Sequence, residues 1–184
     1  MMQSLELISN QIKQVKEIIK RVEYYQKFDL QALNYKPNTD CWNTLECIEH
    51  LNRYSAFYLP KIQNKISNSK LPQELSFKFS WLGSYFCKMM LPQHKIKKMK
   101  TFKDKNPINE ILDLNVIDIF LNHQSHTLQL LEHSRKISLR KIKIPTTIAS
   151  FVKLNLGDTF QFIINHNLRH LAQIDNIMLA YKNE

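Results

Sequence analysis

Apolar residues recur every three or four positions between Ser4 and about Lys27, where Leu5, Ile8, Ile12, Val15, Ile19 and Val22 alternate with Lys, Gln and Glu. That spacing predicts a first amphipathic helix with one face turned to a core. Pro37 and the polar Asn38-Thr39-Asp40 mark a loop. Trp42-Asn43-Thr44-Leu45-Glu46 then offers a helix start, with Asn43 as the cap and Glu46 reaching back from the third helical position. The helix it opens is expected to run to about Lys65, with Pro60 as a candidate kink. Two stripes run along it. Ile48, Leu51, Ser55, Leu59 and Ile62 form one, and Cys47, His50, Tyr54 and Phe57 form the other, so this helix should be buried on two faces.

From Asn68 to Pro107 the pattern is irregular, with Pro72, Pro92 and Pro107 and an aromatic middle. A helix from about Trp81 to Met90 inside a long crossover is the reading. Helical spacing returns from Ile108 to about Ser134, with Leu114, Ile117, Leu121, Leu128 and Leu131 near one face. Pro145 closes the next loop, Ile148 to Leu156 is short and apolar, and Gly157-Asp158 precedes a last helix, where Asp158 and Gln161 repeat the capping arrangement. Four long helices with one extended connection describe an all-α fold, an antiparallel-type four-helix bundle with a long crossover occupying residues 1–184 as one domain.

Composition supports this. Two glycines and six prolines are too few for many strands joined by tight turns. The three cysteines, Cys41, Cys47 and Cys87, show no paired spacing, and no secretory segment precedes the first helix, so a reduced, cytoplasmic protein is expected. No stretch reaches the about 18 consecutive apolar residues of a membrane span, and no membrane partner is expected. The formal charge of +10 would concentrate anions near the surface without selecting among them. Its densest run, His94 to Lys100 followed by Lys103 and Lys105, reads as a solvated segment or a patch for an anionic substrate; no nucleic-acid-binding motif accompanies it, so no specific nucleic acid is expected. Bundles of this size often pair through a helix face, which makes a homodimer an expectation.

Candidate chemistry centres on His166 and His170, four apart on the last helix, where two imidazoles stack and can grip Zn, Ni or Fe as a divalent ion. They lie along the edge of the stripe of Phe160, Ile164, Leu171, Ile174 and Met178, beside Gln173. On spacing alone, two hydrogen-bonded surface histidines are the simpler reading. His50, between Cys47 and Tyr54, reads by itself as a core histidine with a polar partner. His126 and His133 should face water, His123 is intermediate, and Cys47 reads as a small apolar residue.

Trp42-Asn-Thr-Leu-Glu46-Cys-Ile-Glu-His50-Leu51 resembles the opening of the second helix in the DinB-like (DinB/YfiT) superfamily, Trp-Ser-x-x-Glu-x-x-x-His-Leu, with Asn43 in place of the commoner serine. Gly157-Asp158 through His166, His170 and Gln173-Ile174 resembles its closing signature. The resemblance implies a four-helix bundle with a divalent metal held by His50, His166 and His170. It also implies a small-molecule substrate, since relatives include thiol-dependent S-transferases, a mycothiol-using isomerase and metal-dependent hydrolases. An enzyme of this kind would use the metal with water or with a low-molecular-weight thiol as cofactor, and Arg169 or Gln173 would orient a ligand. The alternative is a non-catalytic stress-related bundle that binds a metal or small ligand.

Overall fold

The computed structural model describes residues 1–92 and 101–183. Four long helices dominate it: α1 (Ser4–Tyr25), α3 (Thr44–Ser67), α5 (Asn115–His133) and α6 (Leu156–Lys182). Two short helices, α2 (Leu30–Asn34) and α4 (Trp81–Met89), lie in the connections. Two antiparallel strand pairs complete the fold: β1 (Met2–Gln3) with β2 (Ser76–Phe77), and β3 (Lys143–Pro145) with β4 (Lys153–Asn155).

α1 and α3 each pack against both α5 and α6, so the four helices form a ring with α1 and α3 on one diagonal. Side-chain pairs set the directions. Gln11 reaches Gly157, Gln14 bonds Gln161 and Arg21 pairs with Asp175, which makes α1 and α6 parallel. Asn52 bonds the Val116 carbonyl and His126 meets Gln63, which makes α3 and α5 parallel as well. Thr44 lies by Met178 and Tyr58 by Phe162, so α3 opposes α6. The expected antiparallel arrangement therefore holds between α3 and α6 and between α1 and α5, where Gln26 bonds Asp118 and Arg135 reaches Ser9, but not within these two parallel pairs. The long crossover carries the chain from the end of α3 back to the end where α3 began.

The capping box opening α3 forms as expected: the Asn43 side chain accepts from the Glu46 N–H, and Glu46 accepts from the Asn43 N–H. The helix runs unbroken through Pro60, whose side is exposed. Both expected stripes face protein, with Cys47, Ile48, His50, Leu51, Ser55, Leu59 and Ile62 buried and Tyr54 and Phe57 half-buried. In α1 the stripe is centred one position away from the expectation: Leu7, Gln11 and Ile18 are buried, whereas Leu5 is exposed and Ile19 half-buried. Gln11 belongs inside because its amide donates to the Gly157 carbonyl of α6.

Two boundaries differ from the sequence reading. α5 starts at Asn115 and not near Ile108, because Asn109 takes a left-handed φ of 63° and the segment before Asn115 folds back over α3. Its buried face is Val116, Ile117, Phe120, Gln124, Thr127, Leu130 and Leu131, so Leu114 is exposed and Leu121 and Leu128 only half-buried. α6 starts at Leu156, with Asp158 inside its first turn and no side-chain cap at Asn155. The Asp158 carboxylate instead accepts from the Ser80 N–H and hydroxyl at the start of α4, and Gln161 bonds Gln14 and Asn165. Gly83 of α4 lies so close to the Asp158 side chain that a Cβ there would collide with it. α4 is thereby fastened to α6, and the Asn165 amide adds a bond to the Cys87 carbonyl at 2.9 Å. The apolar stretch before α6 is mostly the β3–β4 hairpin. Among the described residues no helix is long and apolar enough to cross a membrane.

Candidate metal centre

The capping box fixes the first turns of α3, and His50 projects from its second turn toward α6, which runs the opposite way. The i, i+4 spacing on α6 stacks His166 and His170 against it. His50 Nε2 stands 3.2 Å from His166 Nε2, and His170 Nε2 stands 3.1 Å from the same atom. All three rings are buried, with 3%, 5% and 8% of their surface exposed. One ligand atom from each lies within 4.8 Å of the others.

The outer nitrogens fix which atoms can bind. His50 Nδ1 lies 2.7 Å from the Lys105 carbonyl oxygen, which can only accept, so the proton sits on Nδ1 and the Nε2 lone pair faces inward. His170 Nδ1 lies 3.1 Å from Gln173 Oε1 and is held the same way. Two inward lone pairs then face one nitrogen of His166, whose single proton can satisfy only one of them well. A cation among the three resolves this. Nitrogens bound at about 2.05 Å to one ion stand about 3.3 Å apart at tetrahedral angles and about 2.9 Å at right angles. The 3.1 and 3.2 Å of the two pairs that share His166 fall between these values, and the third pair lies within 4.8 Å, a donor set that suits a divalent ion.

Electrostatics keep the rings neutral. Burial pushes the His50 imidazolium down to about 4, and the charges of Arg53 and Lys105 push the same way while the Lys105 carbonyl opposes them. Burial holds His166 and His170 well below the usual histidine range; His50 and Arg169 add to the effect on both, and His170 adds to it on His166. Neutral imidazole is the form that binds a metal. Arg169 is buried, and that burial lowers its guanidinium from the usual range.

Aromatic rings wall the cluster. Trp42 lies 4.6 Å from the His50 ring and 5.7 Å from His170, and Tyr54 lies 4.9 Å from His50 and 4.5 Å from His166. Trp42 Nε1 donates to Asn106 at 3.0 Å, which ties the helix entrance to the crossover. Glu46, fully buried, accepts from Lys36 Nζ at 2.8 Å and from the Asn109 N–H. Residues 105–109 of the crossover are thus fastened over the imidazoles.

Other candidates lie apart from the cluster. His123 is half-buried on α5, His126 is half-buried against Gln63 where water was expected, and His133 is exposed. Glu49 pairs with Arg53 at 2.8 Å. Cys47 is fully buried and its thiol is pushed well up by that burial, which makes it a packing residue. His94 and the basic run through Lys100 lie outside the described residues. Lys105 was read only as charge; its backbone carbonyl does the positioning, which no side-chain pattern reveals. Two surface grooves, of 390 and 580 Å³, are lined by other residues.

A sequence model describing the DinB superfamily matches residues 21–174, a span that contains all three histidines. Comparison with curated proteins and with solved structures returned no match.

Proposed function

The chain belongs to the DinB superfamily, and from that premise we propose that it is a metal-dependent enzyme acting on a small molecule, with a divalent ion on the Nε2 atoms of His50, His166 and His170. The observation that carries this reading is the convergence of three neutral imidazole nitrogens at 3.1 and 3.2 Å. When bound, the ion supplies Lewis acidity, with positions beyond three imidazoles open to water or to a thiol held as thiolate.

The protein's own residues prepare that site. The Lys105 carbonyl and Gln173 hold His50 and His170 in the tautomer that points Nε2 inward. Trp42, Tyr54 and Phe162 surround the imidazoles and exclude water. The charged neighbours that act on the three rings are Arg53, Lys105 and Arg169, of which Arg53 is paired with Glu49 and Glu110 and Lys105 with Asp104. Among the described residues no carboxylate stands with the three histidines as a general base. A thiol held as thiolate would attack without such a base.

The test is turnover of a chloronitroarene with several low-molecular-weight thiols: the thiol sulfur forms the C–S bond, chloride leaves and the thiol proton passes to solvent. The proposal expects a rate above that of chelator-treated protein for at least one thiol. The same rate with and without metal for every pairing counts against an enzyme. It would favour the second reading, a non-catalytic metal-holding bundle, which the slight exposure of the three rings supports.

A further inference from the structure

At the opposite end of the bundle, where α3 ends and the β3–β4 hairpin begins, five lysines line one groove of 580 Å³: Lys65, Lys70, Lys141, Lys143 and Lys153. Among the described residues no carboxylate lines it and none of the five lysines forms an ion pair, Lys143 donating to the neutral Asn155 side chain. In a chain with 16 acidic side chains this exclusion gives the groove a positive potential that the fold does not neutralise. The C-terminus of α3 contributes a partial negative charge there through Asn68, and Lys65 in its last turn offsets it. Ser69 and Ser150 add hydroxyl donors on two sides of the groove.

We propose that this groove binds an anion carrying several phosphate groups. Five ammonium groups spread around one concavity match separated negative charges better than a single carboxylate, and each phosphate brings nearly two charges and several acceptor oxygens. The volume lies within the range of small-ligand sites. Such phosphates occur on soluble molecules and on lipid headgroups. Phe151 and Ile148, on the turn joining the two strands, are 84% and 50% exposed and would enter a bilayer in the second case.

The test titrates the full chain with sodium tripolyphosphate at physiological ionic strength in EDTA, so that the histidine cluster takes no part. A groove variant, Lys65→Gln with Lys141→Gln and Lys153→Gln, is compared with a control of equal charge on α1, Lys13→Gln with Lys16→Gln and Lys20→Gln. All six side chains are exposed, so both variants should fold. The expected result is one saturable site per chain, weakened at least about tenfold in the groove variant and little changed in the control. Equal losses in both, or no saturable binding, would overturn the proposal. Vesicles of phosphatidylcholine with and without a phosphatidylinositol bisphosphate, whose headgroup carries several phosphates, separate the sources. Sedimentation only with the anionic vesicles, reduced by Phe151→Ser while tripolyphosphate binding is kept, assigns a headgroup. Tripolyphosphate binding without vesicle binding assigns a soluble phosphate ligand.

Discussion

Replacing Glu46 by alanine removes the carboxylate that joins the start of α3, the preceding loop and the crossover. Its oxygens accept from the Asn43 N–H at 2.9 Å, from Lys36 Nζ at 2.8 Å and from the Asn109 N–H, with the side chain fully buried. Loss of the capping arrangement costs about 1 kcal/mol. The Asn109 N–H, left without its acceptor, adds about 1–3 kcal/mol. Lys36 is 20% exposed and can turn into water, so its lost pair adds little. The expected total is about 2–4 kcal/mol, read from guanidinium denaturation followed by far-UV circular dichroism. EDTA must be present, since a bound ion would add stability of its own. Glu46→Gln keeps the shape but turns an amide N–H₂ toward N–H donors, so it should retain more than half of the loss. A cost below about 1 kcal/mol for the alanine variant would refute the claim that this carboxylate fastens the crossover over the imidazoles.

Gln173→Leu should weaken metal binding about 10- to 100-fold in competition with a chromogenic chelator while leaving the denaturation midpoint of the metal-free protein nearly unchanged; equal affinity would show that Gln173 does not orient His170. In metal-free protein, the folded state keeps His50 neutral down to about 4, and His166 and His170 stay neutral under the same burial. The unfolded chain takes up protons from about 6.5 downward, so it binds more protons than the folded state and stability should fall as pH drops from about 6.5 toward 4. Denaturation midpoints that stay flat across that window contradict the assignment. Gly83→Ala drives a Cβ into the Asp158 carboxylate that Ser80 holds and should destabilise by about 1–3 kcal/mol, with earlier proteolysis around α4; wild-type protease resistance would show that α4 is not packed as described.

Much of the fold follows from helical spacing, since α1, α3, α4 and α6 each carry a run whose buried face recurs every three or four residues. The Asn43–Glu46 box was legible because both partners are local. α5 was harder: its core face includes Gln124 and Thr127, polar residues satisfied in part by Asn167 and by the His123 carbonyl, and apolar spacing alone favoured Leu121 and Leu128. Asp158 has the sequence context of a cap, but its partner Ser80 lies 78 residues away, and no local pattern encodes that. The same holds at the site. The i, i+4 pair is visible on one helix, and resemblance added His50, whereas the tautomer lock on His50 comes from the Lys105 backbone, an acceptor that every residue possesses.

The most direct test of the account is a zinc titration of tag-free, chelator-stripped protein, with metal content measured after equilibrium dialysis. Trp42, 4.6 Å from His50, should report the same event by fluorescence, because the other tryptophan, Trp81, is 83% exposed and stands on α4. The account predicts one ion per chain with a saturable change in emission, and loss of both in His170→Ala and in His50→Ala, with folded helical content retained. Wild-type protein that takes up no ion, or a His170→Ala variant that still holds one, would contradict it.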